Sequence, residues 1–127
     1  MNVRVAIALV WRDGRLLVSR RRAGAHLAGK LEFPGGKLRP GETAAAAAER
    51  EVLEETGVVC RALGQRPPVE FSYPDRTVTL LPIDAEWQSG DGEPREVDDV
   101  SWLSPEDLIA EDFPAANAGL IAELKRR

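Results

Sequence analysis

A cluster of glutamates near the middle of the chain has the residue type and spacing expected of a metal site. Glu51, Glu54 and Glu55 stand at positions i, i+3 and i+4, so on a helix their side chains fall within roughly 100° of arc. Carboxylates on one narrow face repel one another, and the helix dipole disfavours negative charge in the last turn. A bound divalent cation reverses that repulsion. An all-oxygen set of ligands favours Mg²⁺, with Mn²⁺ as an alternative. The other explanation for the three glutamates is a solvated acidic face on a surface helix.

The residues around these glutamates predict the helix that carries them. Alanine, which has the highest helix propensity, fills positions 44–48. Thr43 is a suitable N-cap and Gly57 a suitable left-handed stop, so we expect a helix over 44–56. Glycine and proline recur through 23–42 with little periodicity, which predicts a long loop before the helix. Loops of that length inside a compact domain are usually functional.

The pattern across 36–58 resembles the Nudix box. Its matching residues are Gly36, Glu42, Arg50, Glu51, Val52, Glu54, Glu55, Gly57 and Val58. Every defining position of the box is present in this chain. The resemblance implies an α+β fold, the Nudix α/β/α sandwich with a mixed β-sheet. It also implies a catalytic loop-helix-loop motif whose helix glutamates, Glu51, Glu54 and Glu55, hold Mg²⁺ against a diphosphate.

The same resemblance suggests partners for the metal ligands. A glycine before the helix lets a backbone carbonyl approach the metal, and Gly35 is the position we favour. Arg50 is expected to fix the rotamer of a glutamate, together with Glu42. The alternative for Arg50 is an ordinary helix ion pair with Glu54, worth only a few tenths of a kcal/mol.

A further acid from the second half of the chain is expected to join this site. Glu96, which precedes Trp102 by six residues, matches a late metal ligand of the family. Nearby acids compete for this assignment; they are Glu93, Asp98 and Asp99. Either Glu51 or Glu96 could act as the general base, because activating water beside a metal needs only a modest base.

Beyond the box, the chain is similar to the MutT branch, which sanitises the nucleotide pool for DNA replication and repair. The similarity is carried by segments 20–37, 73–76 and 112–117. That branch hydrolyses oxidised guanine nucleotides such as 8-oxo-dGTP to a monophosphate and pyrophosphate. The positions implied to bind substrate are Arg21, His26, Phe33, Lys37, Tyr73, Asp75 and Asn117.

Several of these substrate positions have simpler explanations. Asn117 matches the residue that reads the purine, and an amide offers a donor and an acceptor in one plane, but Asn also caps helices well. Arg21 and His26 match positions near the phosphates and ribose, and either could be merely exposed. Phe33 could wall the base pocket or fill the core. Asp75 could contact the base or form a turn with Pro74.

The elements that position these residues follow from hydrophobic patterning. The 127 residues, 43% hydrophobic, fit a single domain spanning 1–127. Apolar runs at 3–11 and 15–19 flank Asp13-Gly14, a strong hairpin signal. Strands are expected over 58–63 and 77–87, where Pro82 indicates an edge or a bulge. A final helix is expected over 116–127.

Composition narrows the class of partner. A net charge of −4 is poorly suited to long nucleic acid, so we expect a small-molecule nucleoside triphosphate and no nucleic-acid partner. The apolar N-terminal run is too short to span a membrane. The single cysteine, Cys60, rules out an intrachain disulfide and agrees with a cytoplasmic location. We expect a monomer.

Two other functions remain as alternatives. One is hydrolysis of a pyrimidine triphosphate such as 5-methyl-dCTP, against which Asn117 argues, because the cytosine branch tends to carry an acid there. The other is a catalytically inactive Nudix module that senses nucleotides. The complete set of box acids argues against the second alternative.

Overall fold

The computed structural model describes residues 2–25 and 28–126. Its strands are β1 (Asn2–Arg12), β2 (Arg15–Arg20), β3 (Leu31–Glu32), β4 (Gly35–Lys37), β5 (Val59–Gln65), β6 (Val69–Tyr73), β7 (Arg76–Ser89) and β8 (Asp99–Leu103). Its α-helices are α1 (Ala44–Thr56) and α2 (Ala118–Lys125), and short 3-10 turns cover Pro105–Asp107, Ala110–Asp112 and Ala115–Asn117. No helix in this part of the chain is long and apolar enough to cross a membrane.

The strands form one mixed sheet in the order β3-β2-β1-β7-β5. β4 lies beside β1, β6 beside β7, and β8 beside β2. β1 and β7 run parallel along most of their length, and the other pairs are antiparallel. The predicted α+β class, with a mixed sheet in an α/β/α sandwich, is confirmed.

Strand alternation divides the interior into two cores. On β1, Ala6 and Ala8 face the core beneath α1, whereas Ile7 and Leu9 face the core beneath α2. This follows because successive side chains of a strand point to opposite faces of the sheet. The predicted hairpin between β1 and β2 is confirmed, with Asp13 and Gly14 both at positive φ in its turn, as a primed two-residue turn requires.

Helix α1 begins and ends where its capping residues predict. The Thr43 hydroxyl accepts a hydrogen bond from the Ala46 backbone N–H at 3.1 Å. Gly57 adopts a φ of 73° and donates its backbone N–H to the Leu53 carbonyl. Ala47 and Ala48 pack against the sheet with no exposed surface, which fixes the face that α1 turns to solvent.

The prediction that 23–42 is an uninterrupted loop is wrong, because β3 and β4 lie within it. β3 pairs with β2, and β4 pairs with β1 through Gly35 and Gly36. A Cβ atom on Gly35 would collide with the Ala6 carbonyl oxygen. Glycine is therefore required by a close strand contact, and local propensity gave no signal of it.

Of the two alternatives predicted for Pro82, an edge strand or a bulge, the edge strand is wrong. β7 is an interior strand, bordered by β1 on one side and by β5 and β6 on the other. Pro82 lies where β5 pairing gives way to β6 pairing, and its carbonyl accepts a hydrogen bond from the Arg66 N–H. The missing proline N–H is tolerated because neither β5 nor β6 pairs with Pro82, whereas Ile7 of β1 lies opposite it on the other side.

The last helix begins two residues later than predicted. Ala115–Asn117 form a 3-10 turn, and α2 follows from Ala118. The turn packs beside β6 and bends the chain before the helix starts. It thereby places Asn117 on the inner side of the molecule.

Candidate active site

The glutamates of the last turns of α1 lie against β4. A Cβ atom on Gly36 would come within 2.5 Å of the Glu51 side-chain carboxyl carbon. The box glycine is therefore needed so that this carboxylate can lie directly on the strand backbone. The glycine and the glutamate, although 15 residues apart, form one packed unit.

Arg50 connects the box acids to the start of the motif. Its Nε and Nη2 atoms donate to the two carboxylate oxygens of Glu42, at 2.7 and 2.8 Å. Its Nη1 atom donates to Glu51 at 2.7 Å and to Glu54 at 3.2 Å. The hydrogen bonds from Arg50 lower the pKa of Glu42 to about 2, and those from Glu42 raise the pKa of Arg50. Arg50 thus does more than form the helix pair with Glu54.

Glu55 is the most deeply buried of the predicted ligands. Its Oε1 atom is buried and has no hydrogen-bond partner among the described residues. Burial raises the pKa of this carboxyl, and the neighbouring Glu51 raises it further. A buried carboxylate with one unpartnered oxygen beside a second carboxylate is unfavourable unless a positive charge joins them.

Glu32 is a neighbouring acid that the sequence analysis missed. It forms an ion pair with Arg21, with the Arg21 Nη1 atom 2.6 Å from its Oε1 atom. Burial raises the pKa of Glu32 despite this partner, and Glu51 adds to the rise. The available signal was an acid between two apolar residues, Leu31 and Phe33, at the end of a short strand.

Two of the predicted ligands are arranged to suit a divalent cation, but the full predicted set does not converge on one point. Glu51 and Glu55 offer carboxylate oxygens, which suit a hard cation. One of these oxygens, Oε1 of Glu55, has no hydrogen-bond partner among the described residues. Glu54 instead faces Arg50 and Arg39, at 3.2 and 3.4 Å. Over 2–25 and 28–126, no group of three or more His, Cys, Asp or Glu side chains is gathered around one point.

A cleft of about 470 Å³ opens beside these acids. Its apolar wall comes from β1 and β7, and its charged rim comes from segments 21–37 and 96–97. The lining residues are Val3, Val5, Ile7, Arg21, Arg22, Ala25, Glu32, Phe33, Gly35, Gly36, Lys37, Glu55, Tyr73, Arg76, Val78, Leu80, Glu96, Val97, Pro114, Ala116 and Asn117. An apolar cleft with a few polar groups converging on it is the usual form of a small-ligand site.

Asn117 contributes a buried amide to this cleft. Its side chain is only 6% exposed, and its Nδ2 atom donates a long hydrogen bond of 3.4 Å to the Pro114 carbonyl. Asn117 occupies the N-cap position of α2 but makes no side-chain capping bond. The interpretation of Asn117 as a helix cap is therefore wrong.

The aromatic residues predicted to bind substrate shape the same cleft. Phe33 is 1% exposed and stacks on Phe113, with ring centroids 5.2 Å apart, so it belongs to both the core and the cleft wall. Tyr73 lines the cleft, and its hydroxyl accepts a weak hydrogen bond from the Ala116 N–H. That contact links the β6–β7 hairpin to the turn that carries Asn117.

Other predicted residues are spread around the cleft. Arg21, Lys37 and Glu96 line it, and the Glu96 backbone N–H donates to the Glu55 carbonyl at 3.3 Å. Asp75 lies in the exposed turn between β6 and β7 and does not line the cleft. His26 falls outside the described residues.

Arg76 is a second lining residue to which the sequence analysis gave no role. Its Nε atom is buried and lacks a hydrogen-bond partner among the described residues. It follows Asp75 at the start of β7, directly opposite Tyr73. Its place after a two-residue turn was visible in the sequence, but the cleft that it faces was not.

The comparisons with known proteins agree with this geometry. The family model of the NUDIX domain matches residues 1–124. An 8-oxo-dGTP diphosphatase from Escherichia coli (strain K12) is 38% identical, covering 98% of this chain and 98% of its own length. A CTP pyrophosphohydrolase from the same organism is 29% identical, covering 93% and 86% respectively. The crystal structure of a MutT protein from Methanosarcina mazei Go1 has a TM-score of 0.87 at 27% identity, covering 98% and 94%.

Proposed function

The chain belongs to the NUDIX family and is a Nudix hydrolase, and we propose that it sanitises oxidised guanine nucleotides. The proposed reaction converts a triphosphate such as 8-oxo-dGTP to its monophosphate and pyrophosphate. The observation that carries this proposal is the buried Asn117 amide, which caps no helix and lines the cleft. The similarity to 8-oxo-dGTP diphosphatases along nearly the whole chain supports it.

The base-binding end of the proposed site pairs an apolar wall with one amide. Guanine presents two acceptors, O6 and N7, on its outer edge. In 8-oxo-guanine N7 carries a hydrogen, so the edge offers an acceptor beside a donor. The Asn117 amide supplies the complementary donor and acceptor, while Phe33 and Val78 exclude water from the wall.

The phosphate end of the proposed site combines the acids with basic side chains. Glu51 and Glu55 would hold Mg²⁺, for which Mn²⁺ is an alternative, and Gly35, Glu54 and Glu96 complete our predicted ligand set. When bound, the cation neutralises charge on the phosphate oxygens and stabilises the transition state of phosphoryl transfer. Arg21 and Lys37, on the rim of the cleft, orient the remaining phosphates.

Glu96 is the better-placed general base of our two candidates. It is exposed on the rim of the cleft, where a water attacking phosphorus could reach it. The Glu51 carboxylate is held by Arg50 at 2.7 Å and lies against the β4 backbone at Gly36, so it is less free to turn toward an attacking water. We therefore assign proton acceptance to Glu96 and metal binding to Glu51.

The experiment that tests this function compares kcat/KM for 8-oxo-dGTP, dGTP and 5-methyl-dCTP in the presence of Mg²⁺. We expect 8-oxo-dGTP to be preferred by about a hundredfold, because a site built to pair with a polar edge rejects a mismatched one. The same assay in EDTA measures the metal requirement. Equal or faster turnover of 5-methyl-dCTP would contradict the purine assignment and leave the Nudix chemistry intact.

A pyrimidine triphosphate is the second candidate substrate. It is favoured by the 29% identity to a CTP pyrophosphohydrolase over most of both chains. The cleft wall of valines and phenylalanine would accept either base, because apolar contact discriminates weakly between ring systems. Only the pairing at Asn117 separates the candidates, which is why the three nucleotides are measured together.

A further inference from the structure

The loop between β7 and β8, residues 90–98, carries Glu96 and is attached to the end of α1. The Glu93 N–H donates to the Thr56 carbonyl at 2.8 Å. The N–H groups of Arg95 and Glu96 both donate to the Glu55 carbonyl, at 3.0 and 3.3 Å. These carbonyls lie in the last turn of the helix, where they lack partners within the helix. The position of Glu96 relative to Glu55 is therefore set by how this loop docks.

The first two residues of loop 90–98 are held by indole rings on the neighbouring strands. Trp87 of β7 donates its ring N–H to the Gly90 carbonyl at 2.6 Å. Trp102 of β8 donates its ring N–H to the Asp91 carbonyl at 2.8 Å. Both strands that flank the loop thus anchor its start.

Arg12, at the end of β1, packs against both indoles. Its guanidinium carbon lies 4.1 Å from the centroid of the Trp87 ring and 5.4 Å from that of Trp102. Its Nη2 atom is also 2.9 Å from the Asp91 carboxylate. Arg12 does not line the cleft, so its contacts serve the loop and the two indoles.

Loop 90–98 is constrained by two glycines with unusual backbone conformations and close contacts. Gly90 and Gly92 have φ values of 89° and 97°, which other residues rarely adopt. A Cβ atom on Gly90 would lie 2.9 Å from the Gly57 carbonyl oxygen, and one on Gly92 would lie 2.7 Å from Val100 Cγ1. Because both positions are closely packed, we expect a shift of the indoles to displace the backbone of loop 90–98 as far as Glu96.

We infer that Arg12 is a positioning residue for Glu96, acting through Trp87, Trp102 and the start of loop 90–98. The ion pair with Asp91 is too weak to hold the loop by itself, since the Asp91 side chain is 90% exposed and exposed ion pairs contribute little. The stacking on two indoles supplies the stronger contact. The inference rests on the proposed function in one respect, the part that Glu96 plays in hydrolysis.

Amide hydrogen exchange by NMR tests the docking without any substrate. In R12A we expect exchange at Glu93, Arg95 and Glu96 to accelerate by about tenfold, because the loop opens more often. The matched control is R61A, which removes another arginine paired with an exposed glutamate, Glu86, and should leave these amides unchanged within about twofold. Unchanged protection of the three amides in R12A would overturn the inference, even if the enzyme hydrolyses no triphosphate.

A double-mutant cycle then tests the link to catalysis. R12A should lower kcat about tenfold with KM nearly unchanged, the size expected when a supporting contact of an active-site residue is lost. In the E96Q background R12A should have no further effect, because coupled residues are not additive. An equal loss of kcat in both backgrounds would overturn the inference.

A second variant guards against misfolding of R12A. W102F keeps an aromatic ring, although a smaller one, for Arg12 and removes the indole N–H that binds the Asp91 carbonyl. It should reproduce the faster exchange and the loss of kcat, and the loss should again vanish in E96Q. Normal exchange and normal kcat in W102F would contradict the proposed route through the indole.

Discussion

The acidic end of α1 and the cleft that ends at Asn117 are built on different physical principles. The acidic end lies within residues 36–58 and is organised by charge, since Arg50 bonds to Glu42, Glu51 and Glu54. The cleft is organised by packing, and its wall combines β1, β7, Phe33 and the 3-10 turn before α2. In the proposed function, charges act on the phosphates, whereas shape and one amide act on the base. Catalysis and selectivity should therefore be separable by mutation.

The largest expected effect comes from the acidic end. Replacing Glu51 with glutamine turns a proposed metal ligand and charged partner of Arg50 into a neutral amide, so kcat should fall about a hundredfold to a thousandfold. The selectivity between 8-oxo-dGTP and dGTP should not change, because the cleft is untouched. Steady-state kinetics with both nucleotides measures the two quantities together. E106Q, at an exposed site away from the cleft, is the control that should match the unmodified enzyme.

That separation fails if E51Q loses selectivity as well as turnover. Such a result would mean that the acids also help to seat the base. Retention of near-normal kcat in E51Q would remove Glu51 from the proposed metal site altogether.

The reciprocal change is made in the cleft. N117A leaves a purine edge without its partner, so kcat/KM for 8-oxo-dGTP should fall about a hundredfold, while dGTP loses much less. N117D keeps the shape but offers acceptors only, and it should shift the ratio toward 5-methyl-dCTP, whose exocyclic amine is a donor. The ratio of kcat/KM values for the three nucleotides is the measurement. An unchanged ratio in both variants would show that Asn117 does not read the base.

The same contrast explains what could be predicted from the sequence. Glu51, Glu54 and Arg50 were visible because a helix converts fixed spacing into a shared face. Thr43 and Gly57 set the helix ends, and the structure has them as predicted. The residues of the acidic end lie close together in the sequence, so helix spacing and capping preferences are enough to predict their arrangement.

The cleft was harder to predict because distant segments form it. Asn117 was identified by resemblance alone, and its burial depends on the 3-10 turn that replaces the first residues of the predicted helix. Glu32 was missed because its proximity to Glu51 depends on β3 and β4, two short strands that are fixed by pairing with β2 and β1. Arg76 was missed because no local rule shows which strand end borders a cleft.

A smaller effect is expected where the two regions meet, at β4. In G36A the added Cβ would collide with the Glu51 carboxylate, which is the flexible end of a side chain and can turn away. The fold should therefore survive, while kcat falls about tenfold because the carboxylate is misplaced. G119A is the matched control, because a Cβ there meets nothing within 4 Å and alanine favours a helix by about 0.5–1 kcal/mol. Thermal unfolding and kcat are measured for both, and unchanged kcat in G36A would show that Glu51 tolerates displacement.

The smallest effect is a pH dependence of stability in EDTA, which tests whether the acidic end is strained without a cation. Burial raises the pKa of Glu55 above its usual value near 4.5, so the folded protein holds a proton that the unfolded chain releases. The stability from this group is complete below pH 4.5 and is lost as pH rises toward the raised folded pKa. The melting temperature in EDTA should thus fall by a few degrees between about pH 5 and pH 8. In E55Q that slope should become shallower, because glutamine does not titrate, and the raised pKa of Glu32 accounts for what remains. Glu42 does not interfere, since its pKa is lowered to about 2 and its contribution changes only below pH 4.5.

Mg²⁺ should remove most of the slope in the unmodified protein and have little effect on it in E55Q. An identical slope in both proteins would show that Glu55 is not the source of the strain, and that the cation is not needed to relieve it.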